Sequence, residues 1–175
     1  KFILNVGRLT KQKNQIYLIN DTKDFLEKNV DFDLIILGDG ENKLKLLSSI
    51  KKNKLENRVF LIGFKDNPYP YFKNASYFIL SSLWEEVGFV LVEAALSNLY
   101  LLSSDCPNGP SELLLNGKAG FLFKSNEKDS LKNKLKELNK LDYKMKVNAK
   151  KNSIKYTLFR HHKNLRKILN NENNS

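Results

Sequence analysis

One cysteine, two histidines and no long apolar run leave few of the common chemistries open to this chain. Cys106 alone cannot form an internal disulfide, which fits a reducing cytosol. His161 and His162 are adjacent, so on a helix they point to different sides and form no chelate. The longest apolar run, 89–96, is interrupted by Glu93 and falls far short of the roughly 20 residues a membrane span needs. There is no G-x-S-x-G, no H-E-x-x-H, no paired C-x-x-C and no phosphate-cradling G-x-x-x-x-G-K-[ST]. The opening residues Lys1-Phe2-Ile3-Leu4-Asn5-Val6-Gly7 read as a strand running into a turn rather than as a signal peptide. A chain that opens on a buried-looking strand is expected to be a domain cut from a longer protein.

What is present is an ordinary core under a basic surface. The 175 residues are 41% hydrophobic, enough for one globular domain. Thirty Lys and Arg against 19 Asp and Glu give a formal net charge of +11. Such a surplus suits phosphate ligands, an anionic membrane or nucleic acid, or it simply fills solvated surface with lysine. No run alternates basic and aromatic residues, so no nucleic-acid partner is expected.

Short β-branched runs alternate with longer amphipathic ones. Strands are expected at 2–6, 33–37, 59–62, 77–80, 100–103 and 120–123, and helices at 14–29, 42–52, 89–97, 111–116, 128–140 and 143–169, the last broken near Asn152-Ser153. The first, second and fourth strands are apolar throughout, as strands covered on both faces should be. This alternation predicts an α/β fold: a Rossmann-like, doubly wound parallel sheet of about six strands with helices on both faces. Ligands then bind beyond the carboxyl ends of the strands.

Five loops lie there. In Gly7-Arg8-Leu9-Thr10-Lys11-Gln12-Lys13-Asn14, Arg8 and Lys13 could clamp a diphosphate or be plain solvated cations. Gly38-Asp39-Gly40-Glu41 lacks the third glycine of a dinucleotide fingerprint and reads as a tight turn. The stretch 63–70, with two prolines and Lys65, is a surface loop or a wall for a flat base. In the fourth loop Glu85 follows the strand, Gly88 frees the backbone, and Glu93 lies inside an otherwise apolar helix. A buried carboxylate there needs a partner, whether a ligand hydroxyl, a backbone amide or an arginine. The free amides at that helix start, Phe89 and Val90 among them, can meet a phosphate. In the fifth loop, Glu112 complements the dipole of a short helix. Asp31-Phe32-Asp33 precedes its strand and reads as a solvated lead-in, not a metal site.

Taken in order, Gly7-Arg8-Leu9 with Gln12-Lys13-Asn14, then Gly38-Asp39-Gly40-Glu41, then Phe60-Leu61-Ile62-Gly63-Phe64, then Glu85 and Glu93 eight residues apart, resemble the C-terminal domain of GT4-type retaining glycosyltransferases of GT-B fold. The match covers residues 1 to about 125, more loosely the tail. Ser104-Asp105-Cys106-Pro107-Asn108-Gly109-Pro110 also resembles bacterial members that build lipid-linked or surface glycans. One departure stands out: Glu86 and Val87 occupy the positions where the family usually has glycine and an aromatic.

The resemblance implies one donor-binding domain over 1–175, with 151–175 as C-terminal helix and tail, and an acceptor domain of the same protein ahead of it. It implies that Arg8 and Lys13 contact the donor diphosphate. Glu85 holds the transferred sugar and Glu93 the ribose, with Gly7 and the amides around Gly88, Phe89 and Val90 near phosphate or sugar, and Lys65 near the base. The donor would be a nucleotide-sugar, a UDP-sugar first, and the acceptor a glycan or lipid-linked saccharide. No metal or other cofactor is implied, and the place is the cytoplasm, with peripheral contact at the inner membrane face. A non-catalytic nucleotide-sugar-binding module and a GT-B-fold epimerase or phosphorylase are the alternatives.

Overall fold

The computed structural model describes residues 1–160 together with His162, Lys163 and Arg166. The apolar runs become six strands of one parallel sheet: β1 (Phe2–Val6), β2 (Asp33–Leu37), β3 (Val59–Gly63), β4 (Tyr77–Leu80), β5 (Tyr100–Ser104) and β6 (Phe121–Phe123). Their spatial order is β3-β2-β1-β4-β5-β6. The period of two sends alternate side chains to opposite faces, which makes two cores. Ile3, Leu34, Ile36, Ile79 and Leu102 meet α1 (Gln15–Lys28), α2 (Lys43–Lys52) and α6 (Ser130–Leu135). Leu4, Leu37, Phe78, Leu80 and Leu101 meet α3 (Tyr69–Asn74), α4 (Phe89–Leu96), α5 (Pro110–Leu113) and α7 (Tyr143–Ser153). Leu18, Leu26 and Leu46 on the first side, and Phe72, Leu91 and Ala94 on the second, are almost wholly excluded from solvent. Full burial of one such side chain contributes roughly 1.5–3 kcal/mol.

The strand order reverses between β1 and β4, and that junction is thin. β1 and β4 pair through two residue pairs, Ile3 with Tyr77 and Leu4 with Phe78. β1 and β2 share five, and β4 and β5 share four. The buried Asn5 side chain donates across the junction to the Ile79 carbonyl (2.8 Å). In open α/β sheets this reversal opens the ligand crevice.

Several boundaries differ from expectation. The stretch 63–70 ends early because α3 starts at Tyr69; Pro70 lies in its first turn, where a missing N–H breaks no helical bond. The helix expected at 111–116 shortens to α5 and a 3-10 turn, Leu115–Gly117, with Asn116 in the left-handed region. The one expected at 128–140 enters through left-handed Asp129 and divides into α6 and a 3-10 turn at Leu138–Lys140. α7 stops at Ser153, as the expected break requires, and a 3-10 turn follows at Ile154–Tyr156; of the stretch to Leu169, His161, Asn164, Leu165 and 167–169 lie outside the described residues. Asp33, in the formal D-x-D, pairs with Arg58 at 3.0 Å. Arg58 also donates to the Leu26 and Asn29 carbonyls, both at 2.9 Å, and to Phe32, pinning the end of α1 beneath β2.

Candidate active site

The loops after β1 and β4 flank the reversal point, so the strand order brings their side chains together. Lys13 Nζ lies 2.5 Å from Glu85 Oε1, although the two are 72 residues apart in sequence. The pair is sheltered: side-chain exposure is 16% for Lys13 and 7% for Glu85. Ser82 Oγ donates to the same oxygen at 2.5 Å. Oε1 is therefore engaged twice, and no hydrogen bond to Oε2 occurs among the described residues. The Lys13 stem lies over Gly7, where an added Cβ would come within 3.4 Å of it. Expectation had put Lys13 on a diphosphate and Glu85 on a sugar separately; the structure pairs them with each other.

The two loops are also laced through their backbones. Leu83 N–H donates to the Gln12 carbonyl (2.7 Å), Gln12 Nε2 to the Trp84 carbonyl (2.9 Å) and Ser81 Oγ to the Lys13 carbonyl (2.8 Å). From below, the Ser104 and Ser125 hydroxyls both donate to the Ser82 carbonyl. From the side, the Pro107 carbonyl accepts from Glu85 N–H at 3.2 Å. Gly109 sits so close that a Cβ there would stand 2.7 Å from the Val87 carbonyl oxygen, and its φ of +112° already excludes most side chains. Buried Cys106 lies near both Lys13 and Glu85, and burial raises the pKa of its thiol.

Gly88 caps α4 in the left-handed conformation, φ 72°. The first bond of that turn is Leu91 N–H to the Gly88 carbonyl, so the Phe89 and Val90 amides have no backbone acceptor among the described residues. Free amides at a helix start are donors that an anion can accept from. Glu93 contradicts its expected burial. It and Phe89 are exposed, because this side of α4 faces open space. The Glu93 carboxylate has no hydrogen bond or ion pair among the described residues, and partial desolvation raises its pKa.

A second part of the site opens over β1, β2 and β3. A cleft of about 430 Å³ has Val6, Leu37, Phe64 and Pro68 as apolar walls, with Gly7, Arg8 and Lys65 at its edge. Its size is ordinary for a small-molecule site. Arg8 and Lys65 are solvent-exposed there, and neither has an ion-pair partner among the described residues. Gly38-Asp39-Gly40-Glu41 proves to be the expected turn: Leu9 N–H donates to the Asp39 carbonyl and Asn42 N–H to the Leu9 carbonyl, both at 2.9 Å. The structure thus groups Gly7, Arg8 and Lys65 in the cleft and Lys13 with Glu85 in the crevice, and puts Gly88, Phe89, Val90 and Glu93 on the helix beside it. Glu86 is exposed, and its carboxylate has no ion-pair partner among the described residues.

Sequence reasoning passed over Ser82 and Gln12. Ser82 had a legible signal, a short hydroxyl three residues before an acid. Gln12 had none, since its partner Trp84 is distant in the chain.

Comparison with known proteins shows the family. Residues 1–156 match the model of the family described as glycosyl transferases group 1. An uncharacterised glycosyltransferase of Methanocaldococcus jannaschii is 46% identical over 111 residues, 63% of this chain and 27% of that protein. The N-acetylgalactosamine-N,N'-diacetylbacillosaminyl-diphospho-undecaprenol 4-alpha-N-acetylgalactosaminyltransferase of Campylobacter jejuni is 36% identical, over 79% of this chain and 37% of its own length. The chain therefore spans about a quarter to two fifths of these relatives. The Anabaena protein HepE, solved in complex with UDP-glucose, superimposes with a TM-score of 0.77 at 25% identity, over 87% of this chain and 43% of its own. The fold and the family match agree: this chain belongs to the glycosyl transferases group 1 family, as a Rossmann-like half of a GT-B fold.

Proposed function

We propose that this chain is the donor-binding half of a retaining hexosyltransferase of GT4 type, taking a UDP-sugar and passing its sugar to a glycan or lipid-linked acceptor. The observation that carries this is the Lys13–Glu85 pair set beside the free amides of α4 at the reversal point. The base lies in the apolar cleft against Phe64 and Lys65. Its diphosphate crosses Gly7 and meets Arg8, Lys13 and the Phe89 and Val90 amides. When that anion arrives Lys13 turns to it, and Glu85 accepts hydroxyls of the transferred sugar instead. Glu93, exposed and unpaired, accepts the ribose hydroxyls.

As the glycosidic bond breaks, negative charge grows on the leaving diphosphate. Arg8, Lys13 and the helix amides stabilise it there more than in the ground state, which is the form catalysis takes. No side chain need attack the sugar, the phosphate can take the acceptor proton, and no metal is required in this scheme. An acceptor domain ahead of Lys1 completes the enzyme. The lipid-linked substrate in the name of the Campylobacter relative supports an acceptor of that kind, and a lipid-linked acceptor would bring the chain to a membrane face, in this proposal the cytoplasmic one.

Titration calorimetry of the 175-residue chain with UDP, GDP and ADP tests this. Weak binding of UDP, tighter than of the other two, with no sugar transfer by the chain alone, is expected. Silence with all three, or full transferase activity without a second domain, refutes it.

A further inference from the structure

α7 has one face that the donor site does not use. Ala149 and Ser153 point inward and are buried. Tyr143, Val147 and Ile154 point outward along one stripe and are 68%, 45% and 46% exposed. Lys150 and Lys151 complete a shallow groove of about 390 Å³ with these three and Asn98. Residues 143–160 hold six Lys and Arg and no Asp or Glu.

The lysines of α7 and of the 3-10 turn after it, Ile154–Tyr156, divide by direction. Lys146 turns in over the Tyr100 ring at 3.9 Å, and Lys155 reaches Glu112 at 3.2 Å. Lys144, Lys150 and Lys151 remain exposed, with no acidic partner among the described residues. Neither end of this face enters the crevice. Lys146 lies over the first residue of β5, at the opposite end of the strands, while Asn152 Nδ2 donates to the Leu113 carbonyl at 2.8 Å on the flank.

We propose that the outer face of α7 docks on an anionic lipid bilayer, with Tyr143, Val147 and Ile154 seated among the headgroups and Lys144, Lys150 and Lys151 against lipid phosphates. This deepens the membrane-side reading above and rests on it for its purpose. The chemistry favours lipid over a protein. Lysine is depleted at protein–protein interfaces, whereas a basic helix with spaced aromatic and branched side chains suits the bilayer surface. Each lysine near an anionic leaflet strengthens partitioning by about fivefold.

Sedimentation of the whole chain with vesicles of phosphatidylglycerol in phosphatidylcholine, and with phosphatidylcholine alone, is the test. Binding to the anionic vesicles only is expected, weakening at high salt as the Debye length falls from about 10 Å to about 3 Å. Lys150→Glu with Lys151→Glu lowers it at least roughly tenfold. Tyr143→Ser with Val147→Ser and Ile154→Ser also lowers it. Lys51→Glu with Lys52→Glu on α2, an equal charge change on the other side of the sheet, keeps most of it. UDP calorimetry on each variant reports folding and the donor site separately. The proposal is overturned by no binding, by equal binding to neutral vesicles, or by equal loss from the α2 variant. Self-association that the α7 substitutions remove would overturn it as well, since a second copy would then cover the face.

Discussion

Lys13 and Glu85 are each poor guests in a sheltered site and tolerable only together. Breaking a buried pair from one side leaves the other charge uncompensated, at a cost of about 3 kcal/mol or more. Lys13→Met and Glu85→Gln are each expected to lose about that much stability, and the double variant clearly less than the sum. Urea unfolding of the four proteins gives the coupling energy; a value near zero would mean that the pair does not form in solution. Glu93 is different. Desolvation raises its pKa, so between the ordinary carboxylate range and the raised value the folded chain holds more protons than the unfolded one. Stability is full below that window and falls as pH rises through it. Glu93→Gln should therefore melt slightly higher than the native chain at neutral pH, and the gain should vanish at about pH 4. The same change should weaken UDP binding at least roughly tenfold, because a charged acceptor is lost. Unchanged UDP affinity would remove Glu93 from the site. The residue types were legible, but their environment was not: neighbours in sequence made Glu93 look buried, and only the open side of α4 shows otherwise.

Among elements, the strands were the easiest to read, since β-branched apolar runs that must be covered on both faces leave little choice. α3 was hidden because two prolines read as loop, although proline is welcome in a first helical turn. Near 110–117 the helix breaks at left-handed Leu115 and Asn116, and near 128–140 it begins only after left-handed Asp129; Asn and Asp tolerate that conformation without requiring it, and Leu115 gives no sign of it. The fifth loop shows how one element sets another. Gly109 lets it lie against Val87, and the Pro107 carbonyl then holds the Glu85 amide. Gly109→Ala puts a methyl group into backbone, so the loops must part. A loss of about 2 kcal/mol or more in stability is expected, together with loss of UDP binding in calorimetry. Retention of both would show that the loops can separate without disturbing Glu85.

At the scale of the whole molecule, the sequence predicted a doubly wound sheet but not which strands are neighbours. That order decides the site, because Lys13 and Glu85 meet only where β1 lies beside β4. The +11 charge was legible as a number but not as a pattern. Folding distributes it into Arg8 and Lys65 at the cleft and the outward lysines of α7. The thin β1–β4 junction has a mechanical consequence. It is a seam between two half-sheets, sewn by two residue pairs and by the loop contacts above it. A donor gripped by both loops adds stitches across that seam. Occupancy of the cleft and cohesion of the two half-sheets are then one quantity, felt by the ligand as affinity and by the protein as resistance to being pulled apart.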